Sequence, residues 1–352
     1  FGPLSEKPGL AVDNRIGNLN LVIKNSTFVG TQAGDAATDA TKGVPYIYEN
    51  DNRTPDTTTI TLINNIVTNQ VTTADELTEA LAAGKNVALT EDLVDAPVAT
   101  IAPYGNLYGF HVTGGVFDGM GNTVDFEDAI NNDGTNDNYG FMVSGGTIKN
   151  GSVLGAFRGI MIMSPTEDIV LDNVKVGGEG VCYAINTGEG DFTKNLTVTN
   201  STIAGWTSLS NIKSASFTNC DFEQGGYYTN NVYGRVVKPY VNTVFENCDF
   251  TTAYNIDLSS LRADCKVTFI NCTVNGQPLG GGAAEALSLD GKQWLMPAEF
   301  ALAVVGQATD VVADLGVTAP GSLIFGASLE PIYGAAAAGQ WQMVMAPLPY
   351  TV

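Results

Sequence analysis

The sequence predicts an all-β chain wound into a parallel, self-stacking coil, and three observations predict it. The first is a recurring eight-residue phrase: an apolar residue, another two positions on, Asn at four and an apolar residue at seven. Its copies are LVIKNSTF (21–28), ITLINNIV (60–67), GTIKNGSV (146–153), IVLDNVKV (169–176), LTVTNSTI (196–203), ASFTNCDF (215–222), TVFENCDF (243–250) and VTFINCTV (267–274). The second is the spacing: from the third copy on, the steps between Asn residues are 23, 27, 19, 28 and 24 residues, and a period of that size marks a solenoid. The third is alternation within each copy, as in a strand with one buried face.

The Asn supplies the geometry of each copy. It is the non-glycine residue that best tolerates the left-handed region, so the phrase reads as strand, sharp bend, strand: one corner of a coil. Stacked coils place neighbouring strands about 4.8 Å apart. Asn150, Asn173, Asn200, Asn219, Asn247 and Asn271 are therefore expected to lie over one another and to bond along the stack as a ladder.

Three segments follow in chain order. Residues 1–72 carry two of the phrases around a polar stretch, GTQAGDAATDATKG, and read as an N-terminal β segment, either a separate piece or rungs of a preceding coil. Residues 73–280 read as the coil proper. It opens with TTADELTEALAAGKNVALTEDL (72–93), where Thr73 and Glu76 have capping-box spacing, Leu77, Ala80 and Leu81 share a helical face, and Gly84 stops the helix. A helix over 74–83 is expected, and a strand after it. The glycine-rich LGGGAAEA (279–286) then marks a change: 281–352 has one Lys against six acidic residues and no ladder phrase. An apolar, weakly charged end of this kind is expected either to make subunit contacts or to cap the last rung.

These residues together resemble the right-handed parallel β-helix of the pectin-lyase-like superfamily, in which Asn at a tight turn recurs rung after rung. The likeness spans about 86–280, and GGVFDGMGNTVDF (114–126) is similar to the early Gly-Asp-Gly-rich rung of that superfamily. It implies that the helix near 74–83 covers the open end of the core. It says little of activity, since the fold hosts lyases, hydrolases, tailspikes and adhesins.

Composition narrows the functional classes. Forty Gly and 14 Pro suit a turn-rich β chain, and 352 residues at 44% hydrophobic are enough for a long core. Sixteen basic against 37 acidic residues give a net charge of −21, which argues against nucleic acid and anionic membranes as partners. No stretch reads as a membrane span: the uncharged tail 331–352 is interrupted by Pro, Gly and Gln.

Three of the five cysteines, Cys220, Cys248 and Cys272, directly follow a ladder Asn on successive rungs. They are expected to form a column of small half-buried thiols, at a Cα spacing that also permits a disulfide. Free thiols would suit folding in a reducing cytosol, and so a virion component. A straight column does not make the tetrahedron of a metal site, and no metal or other cofactor is expected. DAINNDGTNDN (128–138) is the one weak calcium candidate, but Ala129 stands where the EF-hand spacing needs a carboxylate.

Catalytic candidates are sparse. The single histidine, His111, sits in an alternating strand, and Asp118 reads as a turn former. The segment QGGYYTNNVYGRVVKPY (224–240) gathers Tyr227, Tyr228, Tyr233 and Tyr240 with Arg235 and Lys238. Aromatic faces beside hydrogen-bonding groups suit glycan contact, while packing of the tyrosines against the coil is the structural alternative. The arrangement departs by its spacing from the Arg-x-Pro setting of lyases on this fold. The expectation is a non-catalytic structural or adhesive protein of a virion (fibre, spike or decoration) or a bacterial surface assembly. Such a protein would be homo-oligomeric or joined to other subunits through 281–352, and in contact with cell-surface glycan. The rival expectation is a secreted polysaccharide lyase or glycoside hydrolase whose site is assembled from separate rungs.

Overall fold

The computed structural model describes residues 10–13, 18–29, 47–50, 58–102, 105–126, 138–178, 181–226, 236–251, 255–257, 260–262, 264–265, 267–274, 276–278, 286–288, 301–303 and 323–326. It is an all-β parallel solenoid of about six turns, with two long stacked sheets and one helix among those residues. One inward column shows the stacking: Phe117, Ile148, Leu171, Val198, Phe217, Phe245 and Phe269 pair in parallel register, each on the next.

Asn at the bend of every phrase adopts positive φ: Asn25, Asn64, Asn150, Asn173, Asn200, Asn219, Asn247 and Asn271 all lie between 51° and 55°. That conformation costs most L-residues about 1–2 kcal/mol, so it punctuates the strands at these positions. The early rung at 116–126 makes the same bend without Asn, through Met120 at φ 55 flanked by Gly119 and Gly121.

The core is a continuous apolar filling in which aromatic rings repeat with the rungs. Phe217, Phe245 and Phe269 stack at 5.1–5.2 Å with their planes within 15°. A second stack, Phe222 on Phe250 at 4.8 Å, meets it edge to face. Near the N-terminal side Phe110, Phe117, Phe126 and Phe141 form a tilted cluster.

The helix Ala74–Ala82 carries the full capping box between Thr73 and Glu76 and buries Leu77, Ala80 and Leu81 in the main core. The N-terminal strands are rungs of a coil: Leu10–Asp13 pairs with Ile47–Asn50, Leu19–Lys24 with Thr58–Ile63, and Thr27–Val29 with Ile66–Val71, all parallel. Ile66–Val71 also pairs with Val87–Leu89, which pairs with Val116–Asp118. Ile66–Val71 follows a bend whereas Val116–Asp118 precedes one. The two N-terminal rungs are therefore offset by one face, and Asn25 and Asn64 are not in line with the column that starts at Asn150.

Parallel stacking ends at Val267–Ile270 and Thr273–Val274. Beyond them Ala286–Ser288 runs antiparallel to Val267–Ile270, and Leu323–Gly326 antiparallel to Asn255–Ile256 and to Ala301–Ala303. These strands cover edges of the last rung in both sheets. No helix of the described residues is long and apolar enough to cross a membrane.

Candidate functional site

The asparagine side chains form two hydrogen-bonded runs rather than one. Asn173 donates to Asn150 at 2.9 Å and Asn150 to the Asp118 carboxylate at 3.1 Å. Asn247 donates to Asn219 at 3.3 Å, Asn219 to Asn200 at 3.1 Å, and Asn200 to the Asp172 carboxylate at 2.8 Å. Each run thus ends on a carboxylate of an earlier rung. Asp118, almost fully buried, also accepts from the Met120 amide at 3.0 Å and pairs with Lys149 at 3.1 Å. It is a turn former and a ladder end.

Other carboxylates follow the same rule. Asp168 accepts from the Asn195 backbone and side chain, which holds it below the usual carboxylate range. Asp172 also takes the Thr199 hydroxyl, and Asp249 takes the Thr273 hydroxyl and the Gly276 amide. Asp221 sits in register on Asp249; partial burial and, next, that neighbouring charge push its carboxyl up.

The second sheet bears a column on its outer face. Tyr108, Tyr139, Arg158, Tyr183 and Trp206 pair in register on successive strands. The Arg158 guanidinium lies 4.4 Å over the Tyr183 ring, and Tyr183 stacks on Trp206 at 4.5 Å and 16°. The planar faces are thus used within the column, in which Tyr139 is buried and Tyr108, Arg158, Tyr183 and Trp206 are half-buried. Three residues along, Asn186, Ser208 and Lys238 form a parallel polar column, with Lys238 paired to Asp257 at 3.6 Å. Sequence reading missed this column, although YGFHV, YGFMV, RGIMI and YAINT repeat an aromatic or Arg, a small residue and an apolar one.

Of the glycan candidates, Lys238 lies in that polar column, 5.6 Å from the Tyr240 ring, and Tyr240 packs partly buried against the core. Tyr227, Tyr228, Tyr233 and Arg235 lie outside the described residues, as does the calcium candidate apart from Asn138. His111 contacts Ser144 through Nε2 at 2.9 Å, and burial holds its imidazole below the ordinary range.

An open cleft of about 690 Å³ lies at the turns after Arg158–Ile162, Tyr183–Thr187 and Trp206–Leu209, where Ser164, Thr166, Glu189, Asp191, Lys194 and Asn211 line it. In one of those turns Phe192 has φ 62 and is 42% exposed, with the Arg262 guanidinium 3.9 Å over its ring.

Cys220, Cys248 and Cys272 are free and buried. Each thiol faces the carbonyl two residues before it and one on the preceding rung, of Val198, Phe217 and Phe245 in turn. The neighbouring Cys220 and Cys272, ahead of burial, push the Cys248 thiol well up from the usual range. Among the described residues no group of three or more His, Cys, Asp or Glu is arranged to hold a metal ion. No family model, curated protein or solved structure matches this chain.

Proposed function

We propose that the chain is a non-catalytic structural and adhesive protein with the parallel β-helix of the pectin-lyase-like superfamily, serving in a virion fibre, spike or decoration or in a bacterial surface assembly. One observation carries this reading. The carboxylates of Asp118, Asp168, Asp172 and Asp249, spread along the coil, are each engaged by a neighbouring rung or turn. A catalytic carboxylate must present lone pairs to a substrate. These instead hold the rod together.

In this reading glycan is touched by the outer face around Trp206, Lys238 and Tyr240, where ring edges and polar groups lie side by side. Subunits join through 281–352. The test is to pass the full chain over immobilised polysaccharides while following unsaturated and shortened sugars in the eluate, with its mass measured by light scattering. Retention without sugar release by an oligomer supports the proposal. A monomer that releases unsaturated sugar is a lyase, and one that releases shortened sugar is a hydrolase.

A further inference from the structure

Cys220, Cys248 and Cys272 are related by simple translation along the coil. Each follows an Asn at φ 55°, 53° and 51°, and the strands before and after the bends are in register: Thr218, Glu246 and Ile270 on one side, Asp221, Asp249 and Thr273 on the other. Neighbouring Cα atoms are therefore about one strand spacing apart, ~4.8 Å, within the range a disulfide spans. The three thiols are buried in one column, between the Phe217–Phe245–Phe269 and Phe222–Phe250 stacks.

We infer that this column is a two-electron oxidation site, in which Cys248 forms a disulfide with Cys220 or Cys272 and the remaining thiol stays reduced. The oxidant is a low-molecular-weight disulfide, and because the thiols are 0–2% exposed it meets them on local opening of these rungs. One protein thiolate attacks it, its S–S bond breaks and one small thiol leaves. The neighbouring cysteine, its proton given to water, attacks the protein sulfur of the mixed disulfide and expels the second small thiol. Two protein thiols lose two electrons and two protons; the small disulfide becomes two thiols. The third cysteine is placed to attack the new bond, so the bridge can shift along the column. Either bridge staples consecutive rungs and restricts the unfolded chain. A rod assembled in a reducing compartment would be locked on reaching an oxidising one.

Geometry makes Cys248 indispensable. Cys220 and Cys272 are two spacings apart, roughly 9.6 Å, beyond the limit for a disulfide. Cys265 is half-exposed and is replaced by Ser in every sample to prevent links between chains, which leaves four of the five cysteines. The folded Cys265→Ser chain is treated with diamide, which removes the same two electrons and becomes a hydrazine. It is then acid-quenched, unfolded, alkylated, weighed and peptide-mapped.

Two of the four thiols should escape alkylation, in a bridge mapped to Cys248. Adding Cys220→Ser or Cys272→Ser should keep a bridge, whereas adding Cys248→Ser should leave every thiol alkylated. Serine fits this column, since Ser201 stands one rung before Cys220 with its hydroxyl on the Thr199 carbonyl at 2.6 Å. Four alkylated thiols after diamide, a bridge that includes Cys182, or a bridge that survives Cys248→Ser overturns the inference.

Discussion

The side-chain amide of Asn150 ends on the carboxylate of Asp118, 3.1 Å away, and this pair shows how the solenoid terminates its polar ladders. An amide in the stack donates backwards and accepts from ahead. The first member needs an acceptor that no further Asn supplies, and a carboxylate provides it while also taking a backbone amide or a lysine. Asp172 ends the run of Asn200 in the same way, with the Thr199 hydroxyl as its second donor.

Asp118→Ala should therefore cost more than the loss of one hydrogen bond. It strands the Asn150 amide, the Met120 N–H and the Lys149 ammonium at a site where the Asp118 side chain is 4% exposed. Removing one partner of such a buried pair costs about 3 kcal/mol. Asp118→Asn keeps an oxygen for Asn150 and Met120 and should lose about 1 kcal/mol. Urea denaturation of both variants measures the difference; equal losses would mean that the acceptor geometry contributes nothing.

Asn219 separates the backbone contribution of the ladder from the side-chain contribution. It sits at φ 55, donates to Asn200 and accepts from Asn247. Asn219→Gly keeps the bend and removes both bonds, for a cost of about 1 kcal/mol. Asn219→Ala adds the left-handed penalty, about 1 kcal/mol more. If denaturation midpoints place Ala level with Gly, the bend is not what selects Asn.

Phe245 touches Phe217, Phe222, Phe250 and Phe269 at centroid distances of 5.1–5.5 Å. Phe245→Ala should cost about 3–5 kcal/mol by opening a cavity that rigid strands on both sides cannot collapse. Phe245→Leu should cost less than half as much. Hydrogen exchange should localise the loosening to the rungs of Phe217 and Phe269.

The bends were legible in the sequence because one backbone conformation selects one residue type. The core was legible because strands alternate. The 116–126 bend is disguised, since glycines beside Met120 do the work of Asn. The offset of the N-terminal rungs leaves no mark on the period: Asn25 and Asn64 fit the phrase as well as Asn150 does, and only pairing shows that Ile66–Val71 lies on a different face. The Arg158–Tyr183–Trp206 column was hidden because arginine and aromatics do the same stacking job, so the repeat is one of shape rather than of letter. The cleft beside Phe192 comes from turns that share no motif.

Two carboxylates should pull stability in opposite directions with pH. Asp221 is raised in the folded state by partial burial and then by Asp249. The folded chain therefore binds that proton more tightly than the unfolded one, and the strain is present above the folded pKa and relieved below the unfolded value. Asp168 is lowered by its bonds to Asn195, so its contribution is present above the unfolded pKa and lost as pH falls through the folded one. Asp221→Asn should raise the melting temperature at pH 7 and make no difference at about pH 3. Asp168→Asn should lower it at pH 7, with the deficit closing in acid. Melting curves across pH 3–7 test both, and a shared sign would refute the assignment.

Gly109 tests how closely the strand Leu107–Val112 of the second sheet approaches the core. A Cβ there would enter the ring of Phe126 and stand 3.0 Å from the Gly140 carbonyl oxygen, and Phe126 is itself held by Phe110 and Phe141 at 5.6 and 5.7 Å. The ring has nowhere to move, so Gly109→Ala should cost about 2–3 kcal/mol through overpacking. Phe126→Leu vacates the ring edge and alone should cost about 1–2 kcal/mol. Because the clash and the cavity occupy the same space, the double variant should be more stable than the sum of the two losses by about 1 kcal/mol or more. Additive losses would show instead that the Gly140 carbonyl, which no side-chain change removes, is the contact that demands glycine at 109.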